Sequence, residues 1–214
     1  MIASLYMRKY IIPFIVVTVL TAYGWLHITR KTITSTATLA DEYLIYTAVI
    51  HYMFAGNKVT FDTQAHVKLL VISDQTANDN FSVYTKDEIW RYLLANFPSA
   101  SQETIVNYIE KNKEKHRLNN SFDLKMKYVL VERQEIERQI FSESTNGWEE
   151  FYKKYTGSAG YVGLSRVGFN YKTNQALVYM EHMCGGLCGS GHYLLLIKDK
   201  YGWKVVLQYR RWIS

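Results

Sequence analysis

Hydrophobic and polar positions divide this chain into three stretches of different rhythm. From Ile11 to Ile28 an almost unbroken apolar run of 18 residues carries no acidic or basic side chain except His27. As a helix it rises about 27 Å at about 1.5 Å per residue, close to the hydrocarbon thickness of a bilayer. Pro13 falls in its first turn, where a missing donor is cheapest. Tyr23 and Trp25 sit near one end, as interfacial aromatics do. From residue 41 to about 155 helical spacing dominates. After Gly157 the chain alternates as strand.

In the helical stretch, Asp41-Glu42 place acids at the positive end of a helix. Tyr43, Tyr46, Ile50 and Met53 form its apolar stripe, with Ile45 and Val49 beside it, and Gly56-Asn57 stop it. His66 to Ile72 reads as a central strand with two apolar faces. Thr85 and Glu88 have capping-box spacing, as do Ser99 and Gln102, so each pair predicts a helix start. Phe122 to Leu130 alternates and predicts a strand with one wet face. Ile136, Ile140 and Phe141, and then Trp148, Phe151, Tyr152 and Tyr155, predict two short helices.

Four strand runs close the chain: Tyr161 to Phe169, Gln175 to Met183, Gly191 to Lys198, and Trp203 to Ile213. Their short connections predict hairpins, hence an antiparallel meander. The expected fold is α+β: an N-terminal transmembrane helix, then helices packed on an antiparallel sheet ending in a four-stranded C-terminal meander.

The amino terminus has two readings. A signal peptide is spelled by Arg8-Lys9 and a small-x-small site at Ala22-Tyr23-Gly24. An uncleaved anchor is favoured because the apolar run outlasts a usual signal core. No cysteine lies directly after the run, which excludes a lipoprotein anchor. The expected layout is a head at 1–10, a signal anchor at 11–28, a Ser/Thr-rich tether at 29–40, and one extracytoplasmic domain at 41–214. The chain is then single-pass in a cell membrane with its domain outside the cytoplasm, or secreted if cleaved.

Charge changes the picture little. The formal net charge is +6, but residues 1–40 hold Arg8, Lys9, Arg30 and Lys31 and no acid. The remaining 21 bases and 19 acids leave the domain near neutral, so nucleic acid is not an expected partner. The basic segment Lys111 to Arg117 contains Glu114 and reads as a solvated helix end. The expected partners are the membrane, through the N-terminal helix, and an envelope protein or small ligand.

Candidate chemistry concentrates in Cys184-Gly185-Gly186-Leu187-Cys188-Gly189-Ser190-Gly191-His192, which holds both cysteines of the chain. A Cys184–Cys188 disulfide suits an oxidising compartment, and the glycines permit the tight turn. A metal site is the alternative, with His182, Cys184, Cys188 and His192 as ligands for zinc or copper. No other cofactor is expected. A reactive thiolate lacks a nearby helix start or cation. Ser190 reads as part of a flexible loop end. Asp74, Arg166 and Glu181 are candidate polar groups of a pocket between helices and sheet. The residues therefore favour a non-catalytic binding or envelope-associated module, against an enzyme with such a pocket or a metal-binding module.

Several segments resemble one family. They are Tyr43-Leu-Ile-Tyr46, Leu69-Leu-Val-Ile-Ser-Asp-Gln-Thr76, Leu164-Ser-Arg-Val-Gly-Phe-Asn170, Cys184-Gly-Gly-Leu-Cys188-Gly-Ser-Gly191 and the closing Trp212-Ile-Ser214. The family consists of uncharacterised bacterial exported or membrane-anchored proteins with a CGxLCGxG loop. The resemblance implies a bacterial extracytoplasmic domain and brings no activity or cofactor. A looser likeness in layout is to cystatin-like and nuclear-transport-factor-2-like folds, which does not carry function.

Overall fold

Helix α1 (Leu39–Phe54) carries the expected stripe: Tyr43, Ile45, Tyr46, Val49, Ile50 and Met53 are all buried. Each such side chain contributes about 1.5–3 kcal/mol of hydrophobic stabilisation. The computed structural model describes residues 36–54, 67–77, 85–140 and 146–214. The apolar run at 11–28 and the stop at Gly56-Asn57 lie outside them. Among the described residues no helix is long and apolar enough to cross a membrane.

The helix starts earlier than Asp41, inside the expected tether. The Thr38 backbone N–H and hydroxyl both donate to Asp41 Oδ2 at 2.8 Å, and the Asp41 N–H donates back to Thr38 Oγ1 at 3.3 Å. This reciprocal pair satisfies the Asp41 N–H, one of the orphan donors of the first turn.

The remaining elements are β1 (Leu69–Ser73), α2 (Lys86–Asn96), α3 (Gln102–Lys111), β2 (Lys127–Val131), α4 (Arg133–Ile140), α5 (Gly147–Lys154), β3 (Ser158–Leu164), β4 (Gly168–Phe169), β5 (Gln175–Gly185), β6 (Cys188–Asp199) and β7 (Gly202–Ile213). The capping box at Thr85 and Glu88 is formed. The α3 start is not capped by Ser99: Ser101 caps it, accepting the Thr104 N–H at 3.2 Å. Strand β2 is shorter than the alternation of Phe122 to Leu130 suggests. Phe122 packs instead against Tyr43, with ring centroids 4.9 Å apart. One-sided burial gives an extended loop the same period as a strand.

The strands form one sheet in the order β2-β1-β3-β5-β6-β7, with β4 beside β5. The expected antiparallel character holds for β3, β5, β6 and β7. The other half is parallel: β1 pairs in parallel with both β2 and β3. The sheet is thus mixed. The correction has a physical reason, because helices α2 to α5 occupy the connections from β1 to β2 and from β2 to β3. A connection that includes a helix returns the chain to the starting edge, as parallel pairing requires.

Alternate residues of the sheet feed two sides. Ala176, Val178, Met180, Leu194 and Leu196 pack with α1. Leu177, Tyr179, Tyr193 and Leu195 pack with α2 and α3. Val71, Val131 and Tyr161 pack with α4 and α5. Long edge strand β7 is guarded by exposed Lys204 and Arg210 and by two register shifts against β6, devices that discourage edge-to-edge pairing.

The run Tyr161 to Phe169 breaks at Ser165–Val167. The Ser165 N–H donates to the Tyr179 carbonyl at 2.9 Å, and its hydroxyl accepts the Tyr179 N–H at 2.8 Å. The chain then rejoins β5 at Gly168, where α3 comes close. A Cβ there would lie 2.4 Å from the Tyr108 backbone nitrogen. Helix backbone cannot yield as a side chain can. Gly168→Ala is therefore expected to cost about 2 kcal/mol by overpacking. Urea unfolding checks this as a lower midpoint at unchanged slope.

Candidate functional site

Strands β5 and β6 pair as far as Gly185↔Cys188, with a register shift at Cys184 between Met183 and Gly185, leaving Gly186-Leu187 as the turn. Cys184 and Cys188 are joined by a disulfide, with Cα atoms 5.0 Å apart. The tip is fixed from outside as well. The Tyr152 hydroxyl of α5 donates to the Cys184 carbonyl at 2.9 Å. Gly189 and Ser214 exchange backbone hydrogen bonds. Leu187 stands 92 % exposed at the apex.

Gly189-Ser190-Gly191 is strand, not a flexible loop end. A Cβ on Gly191 would lie 2.1 Å from Trp212 Nε1 and 2.4 Å from the Tyr179 hydroxyl. The glycines let the Trp212 ring lie against β6, where its Nε1–H donates to the Tyr179 hydroxyl at 2.7 Å.

The ladder holds this hairpin together without the disulfide. Closing a loop of five residues removes little chain entropy, about 2 kcal/mol. Cys184→Ser combined with Cys188→Ser is expected to lose about that much stability and to keep native circular dichroism. Chemical denaturation of the oxidised and doubly substituted chains checks it.

His182 and His192 lie on the α1 side of the sheet, and both are buried. His182 donates from Nε2 to the Ala159 carbonyl at 2.6 Å, and the Phe54 ring meets it edge-on. Burial pushes its pKa down. The Gln208 amide donates to His192 Nδ1 at 3.0 Å, which leaves the imidazole proton on Nε2 to donate to Ser190 Oγ at 3.0 Å. Tyr52 of α1 completes the chain by donating to Gln208 Oε1 at 3.2 Å. Burial, with Arg210 and His182 nearby, lowers the His192 pKa to about 4. Ser190 and His192 thus meet on one face, two residues apart on a strand. At neutral pH the imidazole is uncharged, and it is a weak base for activating a hydroxyl.

The four candidate metal ligands are not gathered into one donor set. The two sulfurs are bonded to each other, and the imidazole nitrogens described above are engaged with protein groups. Among the described residues no group of three or more His, Cys, Asp or Glu is placed to hold a metal ion.

Asp74 and Glu181 meet at one residue, Arg133 of α4, on the side of the sheet away from α1. The Arg133 backbone N–H donates to Asp74 Oδ1 at 3.2 Å. Its guanidinium is 3.1 Å from Glu181 Oε1, in ionic contact, and donates to Glu137 at 2.7 Å. Asp74 also accepts from exposed Arg117 at 3.2 Å.

Arg166 lies elsewhere, on Glu42. Its Nη2 and Nε donate to Glu42 Oε1 and Oε2 at 2.7 and 2.9 Å. Lys111 donates to Oε1 at 2.9 Å, and the Val167 N–H to Oε2 at 3.1 Å. Glu42 is only 1 % exposed. Burial raises its pKa, but the Arg166 and Lys111 partners outweigh that and hold it below the usual range. The three candidate pocket residues therefore form two separate ion clusters. A groove of about 220 Å³ lies beside the first half of α1, lined among others by Leu39, Leu44 and Asp123.

Sequence reasoning missed Arg133, Gln208 and Tyr52, and it read Glu42 only as a helix-end acid. The available signal for Glu42 is its helical spacing, one turn before Ile45 and Tyr46 of the apolar stripe, which puts the acid on the buried face. No family model, no curated protein and no solved structure matches this chain.

Proposed function

We propose that the chain is a membrane-tethered, extracytoplasmic module of a bacterial envelope that binds a partner protein or small ligand without catalysing a reaction. The observation that carries the reading is the Cys184–Cys188 bond at the β5–β6 tip. Disulfides persist in compartments outside the cytoplasm, and the apolar run at 11–28 has the length of a membrane anchor. The resemblance to exported bacterial proteins points the same way.

The test is to express the full chain in bacterial cells and fractionate them. The expected result is a carbonate-resistant membrane protein whose two cysteines react with an impermeant maleimide only after a reductant is added outside. Free thiols reached only by permeant reagents would place the domain in the cytoplasm and overturn the proposal.

A further inference from the structure

The parallel and antiparallel pairings fix which turns share an end of the sheet. The carboxyl ends of β1 and β3 lie with the start of β5 and the end of β6. Two turns meet there, 170–174 between β4 and β5 and 199–202 between β6 and β7. The Lys198 N–H donates to the Asn174 carbonyl at 2.8 Å, which holds them side by side. Both are built firmly. Asn170 Oδ1 accepts the N–H groups of Asn174 and Gln175, each at 3.0 Å, and Asp199 Oδ1 accepts the Tyr201 N–H at 2.7 Å.

These turns carry a local positive charge on a near-neutral domain; segment 111–117 is equally basic in sequence, but its Lys111, Lys113 and Arg117 are paired with Glu42, Glu110 and Asp74. Segments 170–174 and 198–204 hold Lys172, Lys198, Lys200 and Lys204 against one acid, Asp199. All four lysines are exposed. Asp199 is taken by Lys204 at 2.6 Å. Tyr201 is 77 % exposed, with the Lys200 and Lys204 ammonium groups 4.8 and 5.4 Å from its ring. Tyr171, 43 % exposed, stands on the neighbouring turn. Lysines interleaved with amphipathic rings suit the headgroup layer of an anionic bilayer, where the charge meets phosphate and the ring lies at the interface.

The same end receives the incoming chain. Glu42, in the first turns of α1, is bonded to Val167, whereas Phe54 at the other end of α1 meets His182 near the stapled tip. A tether of residues 29–38 reaches about 35 Å at most. We infer that the Lys172/Lys198/Lys200/Lys204 turn pair with Tyr171 and Tyr201 is a docking face for the anionic lipid surface. This rests on the tether reading, and it assigns the stapled Leu187 tip to the membrane-distal end.

The experiment reconstitutes the full chain into nanodiscs of neutral phosphatidylcholine or of the same lipid with 30 % phosphatidylglycerol. Lysines are acylated with an impermeant reagent and quantified by mass spectrometry. Lys68 and Lys127, exposed at the opposite end of the sheet, serve as controls. Each lysine near an anionic surface strengthens association about fivefold. The expected result is at least about threefold slower acylation of Lys172, Lys198 and Lys200 in anionic discs, abolished near 0.5 M salt, where the Debye length is short. Lys172→Glu with Lys200→Glu is expected to abolish the protection of Lys198 in the folded chain. Stable incorporation with equal acylation in both lipids overturns the docking face and leaves the tether standing. Failure to incorporate, with salt-sensitive protection on anionic vesicles, overturns the tether and keeps the face.

Discussion

Glu42→Ala is expected to destabilise the chain by about 3–5 kcal/mol, the cost of breaking a buried ion pair and leaving its partner charge uncompensated. Glu42 is almost wholly buried, while the Arg166 and Lys111 side chains are each about one-fifth exposed. The carboxylate ties α1 to α3 and to the break between β3 and β4. Its loss strands a guanidinium and removes an acceptor of the Tyr46 hydroxyl, which lies 3.2 Å from Glu42 Oε2 and donates to the Ser165 carbonyl at 2.9 Å. Arg166→Met is expected to cost less, since Lys111 and the Val167 N–H still hold the carboxylate. The pH dependence has a definite sign. The folded pKa of Glu42 lies below its ordinary 4.5. Its contribution is therefore full above about pH 4.5 and is lost as pH falls through the lower folded value. Urea unfolding by tryptophan fluorescence at pH 7 and below pH 4.5 measures both effects. A loss under 1 kcal/mol at pH 7 would mean that the cluster is solvated and carries no weight.

How much of this was legible follows from the range of each contact. The α1 stripe is a local pattern, and all of its named residues are buried. The hairpins after β4 were legible because turn residues sit between alternating runs. The parallel half was not, because nothing inside Leu69–Ser73 encodes that its neighbours come from residues 127–131 and 158–162. The ion cluster was hidden for the same reason: Glu42 is 69 residues from Lys111 and 124 from Arg166. At the candidate site, two thiols with no competitor made the disulfide readable. The His192 environment was not, since Gln208 and Tyr52 arrive from another strand and a helix. The lysine turns were not legible locally, because Lys172 lies far in sequence from Lys198, Lys200 and Lys204. Only the folded sheet brings 170–174 beside 198–204.

That His192 environment sets the second large effect, an acid weakness that begins well above the carboxylate range. The folded pKa of about 4 lies below the ordinary 6.5. Above about pH 6.5 neither folded nor unfolded chain protonates this ring, and it contributes nothing to the pH dependence. Between about 6.5 and 4 the unfolded chain takes up the proton and the folded chain does not. Stability then falls by up to about 1.4 kcal/mol per pH unit, about 3 kcal/mol over the window. The cause is structural. Nδ1 accepts from Gln208, so a proton there would confront the Gln208 amide donor in a buried site already facing Arg210 and His182. His182 and His116, whose pKa values are also lowered, act in the same direction. His192→Gln removes the titration while keeping a polar group beside Ser190. Its stability, measured by urea unfolding at intervals from pH 7 to pH 4.5, is expected to decline distinctly less than that of the parent chain. This window excludes most of the Glu42 effect, which lies below it. Parallel profiles for the two chains would show that His192 takes up its proton in the folded state without penalty, and the buried Tyr52–Gln208–His192–Ser190 chain would then have to open on the α1 side as the pH falls.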